Sequence, residues 1–174
     1  QPLAVSQGGA PAAVTVSPAT WSPPVSGGTQ VVGITVTPTD GAWDVTPSAS
    51  WVSALPASGV GAATVTLVAS AHTTSALPRT ATVSIGGQAV VVTQAGAVPQ
   101  VTVAPTRVEV PSTGDAYPLT VTSSLPDNAW SITSSAPWLT AQVQAGTGTG
   151  AVLVRVAAHV SVHARTGTVT LAGH

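Results

Sequence analysis

The sequence predicts an all-β protein made of two tandem β-sandwiches, and three observations lead there. Val and Thr dominate a composition in which 17 Gly and 15 Pro are spread along 174 residues. Val and Thr suit the half-buried face of a strand, and dispersed Gly and Pro punctuate many short strands. No stretch sustains an apolar period of 3.6 residues, so helix is not expected. The third observation is an internal repeat. Residues 1–21 align without a gap on residues 88–108, an offset of 87. The same offset carries Ala42-Trp43 onto Ala129-Trp130, Trp51 onto Trp138, Gly59 onto Gly146 and His72 onto His159. After one deletion, Arg79 to Ile85 matches Arg165 to Leu171.

In the first repeat, strands are expected near residues 12–17, 29–37, 42–46, 51–53, 62–69, 79–86 and 88–94. In the second they are expected near 100–104, 116–123, 129–133, 138–142, 150–157 and 165–172. Apolar and polar residues alternate in Val65-Thr66-Leu67, in Thr82-Val83-Ser84-Ile85 and in Thr168-Val169-Thr170-Leu171, so each of these strands buries one face. Asp40-Gly41 and Asp127-Asn128 supply turn chemistry just before a strand. Gly86-Gly87 is a two-residue hairpin signal between the last two strands of the first repeat. Strands this short and this regularly spaced form a sandwich.

Composition removes several functional classes. Charged residues are 5% of the chain, there is no Lys, and the basic residues are Arg79, Arg107, Arg155 and Arg165. Nucleic-acid binding needs clustered positive charge, so no nucleic-acid partner is expected. The longest apolar runs, such as Ala89 to Val92, fall far short of the ~20 residues of a membrane span. Without Cys there is no disulfide framework or thiolate chemistry. The chain has no Met and opens on Gln1, so a removed secretory leader is the simplest expectation, with excision from a longer chain as the rival. A net charge of −1 at this apolarity favours association.

The residues then carry a family resemblance. Trp43, Trp51, the Gly-rich Ser58-Gly59-Val60-Gly61, Arg79-Thr80-Ala81 and a closing Val92-Thr93-Gln94-Ala95-Gly96 follow in order. Trp130, Trp138-Leu139, Gly146-Thr147-Gly148 and Arg165-Thr166-Gly167 repeat the series. This order resembles the BACON family of immunoglobulin-like domains, found in secreted and surface proteins of bacteria. The resemblance implies two tandem immunoglobulin-like sandwiches, over residues 10–97 and 98–174, in a secreted or cell-surface protein. It also brings the family's carbohydrate-binding attribution, without a defined set of sugar-contacting residues.

One departure shapes the functional expectation. The second repeat stops at His174, where its closing V-T-Q-x-G strand is due, while Leu3-Ala4-Val5-Ser6-Gln7-Gly8-Gly9 stands at the other end with no domain before it. Residues 1–9 are therefore expected as a donor strand, presenting Leu3, Val5 and Gln7. The acceptor groove is expected at Val101, Val103, Thr168, Val169 and Leu171. The short Ala97-Val98-Pro99 connection argues against one chain folding back to fill its own groove. Head-to-tail exchange between copies would build a filament. The rival expectation is a carbohydrate-binding or spacer module of a larger secreted protein, the missing strand coming from a following segment.

Trp43, Trp51, Trp130 and Trp138 recur at equivalent positions and are expected in the core. Trp21 has no counterpart, Val108 standing in its place, and is the candidate glycan-contacting ring, with polysaccharide as the corresponding partner. The acidic residues Asp40, Asp44, Glu109, Asp115 and Asp127 form no repeated acid/base couple, and no nucleophile elbow or phosphate loop occurs. No catalytic residue, cofactor or enzymatic activity is expected. His159 and His163 are four apart, which suits a metal on a helix but here falls in a loop, so no metal is expected. Arg79 and Arg165 open equivalent strands and are expected to bond nearby loop carbonyls.

Overall fold

The computed structural model describes residues 2–8 and 10–173. Gln1, Gly9 and His174, at the ends of the expected donor segment and second sandwich, lie outside the described residues. The chain divides into two compact units, one of Gln1–His72 with Pro78–Ala95, the other of Thr73–Leu77 with Gly96–His174.

In the first unit the strands are β1 (Ala13–Ser17), β2 (Thr20–Trp21), β3 (Gly28–Thr37), β4 (Ala42–Pro47), β5 (Val52–Leu55), β6 (Ser58–Val60), β7 (Ala63–Ala69), β8 (Arg79–Ile85) and β9 (Gln88–Gln94). They form one sheet in the order β1-β3-β7-β5 and another in the order β2-β9-β8-β4-β6. The pairings are antiparallel except β2 with β9, which is parallel. Period-2 alternation puts Val65 and Leu67 of β7, Val83 and Ile85 of β8, and Val90 and Val92 of β9 into one fully buried core. The hairpin from β8 to β9 turns on Gly86 (φ 53°) and Gly87 (φ 82°), with Ile85 directly opposite Gln88. Both turn residues need positive φ in this tight, right-twisted connection, which is why two glycines stand there.

The second unit repeats the plan with β10 (Val101–Ala104), β11 (Asp115–Ser123), β12 (Ala129–Ser134), β13 (Leu139–Ala141), β14 (Ala145–Thr147), β15 (Gly150–Val156) and β16 (Val169–Gly173). Its sheets are β10-β11-β15-β13 and β14-β12-β16. The first sheet matches its counterpart strand for strand. The second has three strands where the first unit has five, the places of β2 and β9 being empty among the described residues.

Several expectations need correction. The short strands β2, β6 and β14 were not legible, because two or three residues carry no period. The last strand, expected over 165–172, begins only at Val169. In the first unit the equivalent residues 79–82 pair with residues 91–94 of β9; without such a partner, residues 165–168 have no ladder to join. The expected donor strand is likewise not a strand in the single chain: residues 2–8 are exposed and unpaired, since an extended segment needs an edge to become one.

Candidate functional site

The first unit shows what closes a sandwich of this kind. β9 lies between β2 and β8, and Val90, Val92 and Gln94 on its inner face are wholly buried. A glutamine at an inward strand position must find partners for its amide, and Gln94 does. Its Nε2 donates to Pro24 O at 2.7 Å and to Ser70 O at 3.2 Å, and its Oε1 accepts from Arg79 Nε at 2.9 Å. Arg79 Nη2 donates to Ser70 O at 2.8 Å and Ala71 O at 3.2 Å. The guanidinium carbon sits 4.2 Å from the centre of the Trp51 ring, and burial lowers the Arg79 pKa from its ordinary value. This cluster ties the end of β9 to two loops.

The second unit carries the same fittings without the strand. Arg165 Nη2 donates to Ala157 O at 2.5 Å and Ala158 O at 3.1 Å, and Arg165 lies 4.2 Å over the Trp138 ring. These are the loop-carbonyl bonds expected of both arginines. Thr168 N donates to Ser135 Oγ as Thr82 N does to Ser48 Oγ. Among the described residues, β16 pairs with β12 alone, so its outer edge is open. The inward positions beside that edge are not sealed. Val169 and Leu171 are half-buried where Val83 and Ile85 are fully buried, and Val101 and Leu119 are half-buried where Val14 and Val32 are buried. Of the expected groove residues, Val101, Val103, Val169 and Leu171 are partly buried and Thr168 is exposed. Val108, which stands where the first repeat has Trp21, is 37% exposed.

At the other end of the chain, Leu3 is 87% and Val5 82% exposed. By the repeat offset, Leu3, Val5 and Gln7 correspond to Val90, Val92 and Gln94. The hydrogen-bonding work of that glutamine was missed from the sequence. Its signal was there, a Gln recurring at 7 and 94 in phase with apolar neighbours.

Trp21 is a correction. It was expected to be exposed for sugar contact, but it pairs with Val92 through β2 and packs into the core at 9% exposure. Trp43 and Trp130 are buried as expected, their Nε1 donating to Gly61 O at 2.9 Å and Gly148 O at 2.8 Å. Trp51 and Trp138 are half-buried beneath their arginines. Among the described residues, every Trp and Tyr is buried or half-buried.

The remaining polar groups make local contacts. His159 Nε2 donates to His163 O at 2.7 Å, and no group of three or more His, Asp or Glu able to hold a metal occurs among the described residues. Arg107 and Glu109 form an exposed pair at 3.1 Å, a geometry worth little. Asp127 accepts from Ser75 Oγ and from Ala76 N, and these bonds hold its carboxyl below its ordinary pKa. Asn128, where the first repeat has Gly41, is buried with neither amide atom hydrogen-bonded. A surface hollow of about 490 Å³ between β12 and β13 has no charged residue in its lining. Among the described residues no helix is long and apolar enough to cross a membrane.

Two family matches fall one on each unit. Residues 41–95 match the BACON family model, described as "Putative binding domain, N-terminal", and residues 100–174 match BACON_2, described as "Viral BACON domain". No curated protein matches the chain. Among solved structures, the chain is similar to a Bacteroides ovatus GH5 xyloglucanase in complex with a XXXG heptasaccharide, at 22% identity and a TM-score of 0.44. That match covers 59% of this chain and 22% of the enzyme. It is also similar to the Yersinia pseudotuberculosis adhesin InvE, at 16% identity and a TM-score of 0.45, over 93% of this chain and 55% of that one. The D00-D0 domain of intimin matches at 11% identity and a TM-score of 0.33, over 91% of this chain and 98% of that one. With two family matches running over most of its length, one on each sandwich, the chain belongs to the BACON family as a tandem of two immunoglobulin-like domains.

Proposed function

We propose that the chain is a non-enzymatic structural subunit of a secreted or cell-surface assembly, joined head to tail by donor-strand complementation. Residues 2–8 of one copy enter the open edge of the second sandwich of the next. The observation that carries this reading is the pairing of an open β16 edge, with half-buried Val169 and Leu171 behind it, and an exposed segment in phase with β9.

An open edge beside an unsealed core is a template for an extended segment. Burying Leu3 and Val5 there contributes about 1.5–3 kcal/mol each, and each ladder hydrogen bond adds roughly 1 kcal/mol. A contact between unlike surfaces of two copies propagates into a filament when its rotation does not close into a ring. The glycan-binding alternative loses its named ring with the burial of Trp21.

A disulfide tests the reading directly, because these 174 residues include no Cys. Val90 faces Val83 across β9 and β8, and their counterparts are Leu3 and Val169. Paired strand residues lie about 4.5–5.5 Å apart at Cα, within disulfide reach. The Leu3→Cys, Val169→Cys double variant should oxidise to a ladder of covalent multimers on a non-reducing gel. Cross-linked monomers, or no cross-link, would overturn head-to-tail donation.

A further inference from the structure

We infer that Gln7 is the residue by which the second sandwich selects its donor strand and sets its register, an inference that rests on the donor-strand reading above. In this arrangement the Gln7 amide of one copy takes, in its neighbour, the place that Gln94 holds in the first sandwich. Its Nε2 donates to Pro111 O and Ala157 O, and its Oε1 accepts from Arg165 Nε.

The receptor for such an amide is already built. Pro24 and Ser70, the carbonyl partners of Gln94, correspond by the repeat offset to Pro111 and Ala157. The turn that presents the first carbonyl is the same in both units. Gly27 N donates to Pro24 O at 2.9 Å and Gly114 N to Pro111 O at 3.0 Å, with φ of 82° at Gly27 and 74° at Gly114. The neighbouring loop is tied down identically, His72 N to Val25 O and His159 N to Ser112 O, each at 2.7 Å. Arg165 holds the pose of Arg79, stacked at the same 4.2 Å on its tryptophan and bonded to the equivalent two carbonyls. Of the set that surrounds Gln94, the glutamine is the member that the second sandwich does not supply from its own described residues.

The apolar residues of the donor cannot set register alone. A slip of two residues keeps the same face inward and would put Val5 where Leu3 belongs, at little cost. The glutamine forbids that slip. Moved by two positions, its amide would be buried against apolar side chains without partners, which is costly, while the Arg165 cluster would go unfilled. Register therefore depends on one polar side chain at the end of an apolar strand.

The test uses the full-length chain carrying Leu3→Asp and Val5→Asp, which keeps both sandwiches but cannot donate, as acceptor. A fluorescent synthetic peptide of residues 1–9 is titrated against it by anisotropy, beside Gln7→Leu and Gln7→Glu peptides. The unaltered peptide should bind, and both substitutions should weaken it about tenfold or more. On an Arg165→Lys acceptor, which lacks the guanidinium Nε–H, the gap between the unaltered and Gln7→Leu peptides should shrink. Equal binding of those two peptides to the Arg165 acceptor would overturn the role of Gln7 and leave strand donation standing. No binding by the unaltered peptide would overturn both.

Discussion

Trp43 and Trp130 each lie flat on a glycine, and that contact explains a spacing that composition alone leaves unexplained. A Cβ added at Gly59 would come within 2.4 Å of the Trp43 ring, and one at Gly146 within 2.4 Å of Trp130. The rings are buried and their indole N–H groups are bonded to carbonyls, so neither can step aside without losing a partner. Gly146→Ala should therefore destabilise the second unit by about 2 kcal/mol, the usual cost of overpacking a core, read as a lower denaturant midpoint for that unit. Gly59→Ala should do the same to the first unit. Legibility at this scale was uneven. The arginines did what their repeated position implied, bonding loop carbonyls. Trp21 did not, because its burial comes from a two-residue parallel pairing with β9 that no local pattern announces.

Residues 165–168 show how far a strand depends on its neighbours. Alternation in Thr168-Val169-Thr170-Leu171 marked a strand correctly, yet the ladder covers only Val169–Gly173. In the first unit, β4 pairs with residues 83–85 of β8, and residues 79–82 owe their ladder to β9. Strand propensity thus places an extended segment, but its hydrogen bonds are decided by what lies alongside. Assembly should complete the element. Amide hydrogen exchange at Arg165–Gly167 should slow markedly in concentrated, assembled chain relative to the Leu3→Asp, Val5→Asp variant, while exchange in β7 stays the same. Unchanged exchange at 165–167 in multimers would mean that the contact between copies lies elsewhere.

The two units differ as whole molecules in how well their cores are sealed. The first has Val32, Val65, Leu67, Val83, Ile85, Val90 and Val92 with no exposure at all, whereas in the second, among the described residues, only Val121 of the apolar core reaches that state. Less apolar surface removed from water means less stabilisation. Calorimetry on the Leu3→Asp, Val5→Asp chain should show two transitions, with the second unit melting first. In the natural chain the lower transition should rise with protein concentration, because a donor that binds the folded acceptor stabilises it by mass action. A lower transition independent of concentration would count against donation between copies.

Much of this protein was decided by sequence alone: an all-β class, two periods at an offset of 87, the glycine hairpin at 86–87, and a segment at residues 3–7 patterned like a closing strand. Such features are local or repetitive, so alternation, turn chemistry and self-alignment expose them. Tertiary structure alone decided that Trp21 is core, that Gln94 ties a strand to two loops and an arginine, and that β16, among the described residues, pairs with β12 alone over a half-sealed interior. Those facts depend on residues distant in the chain meeting across a sheet, and a linear pattern carries no record of which edges find partners.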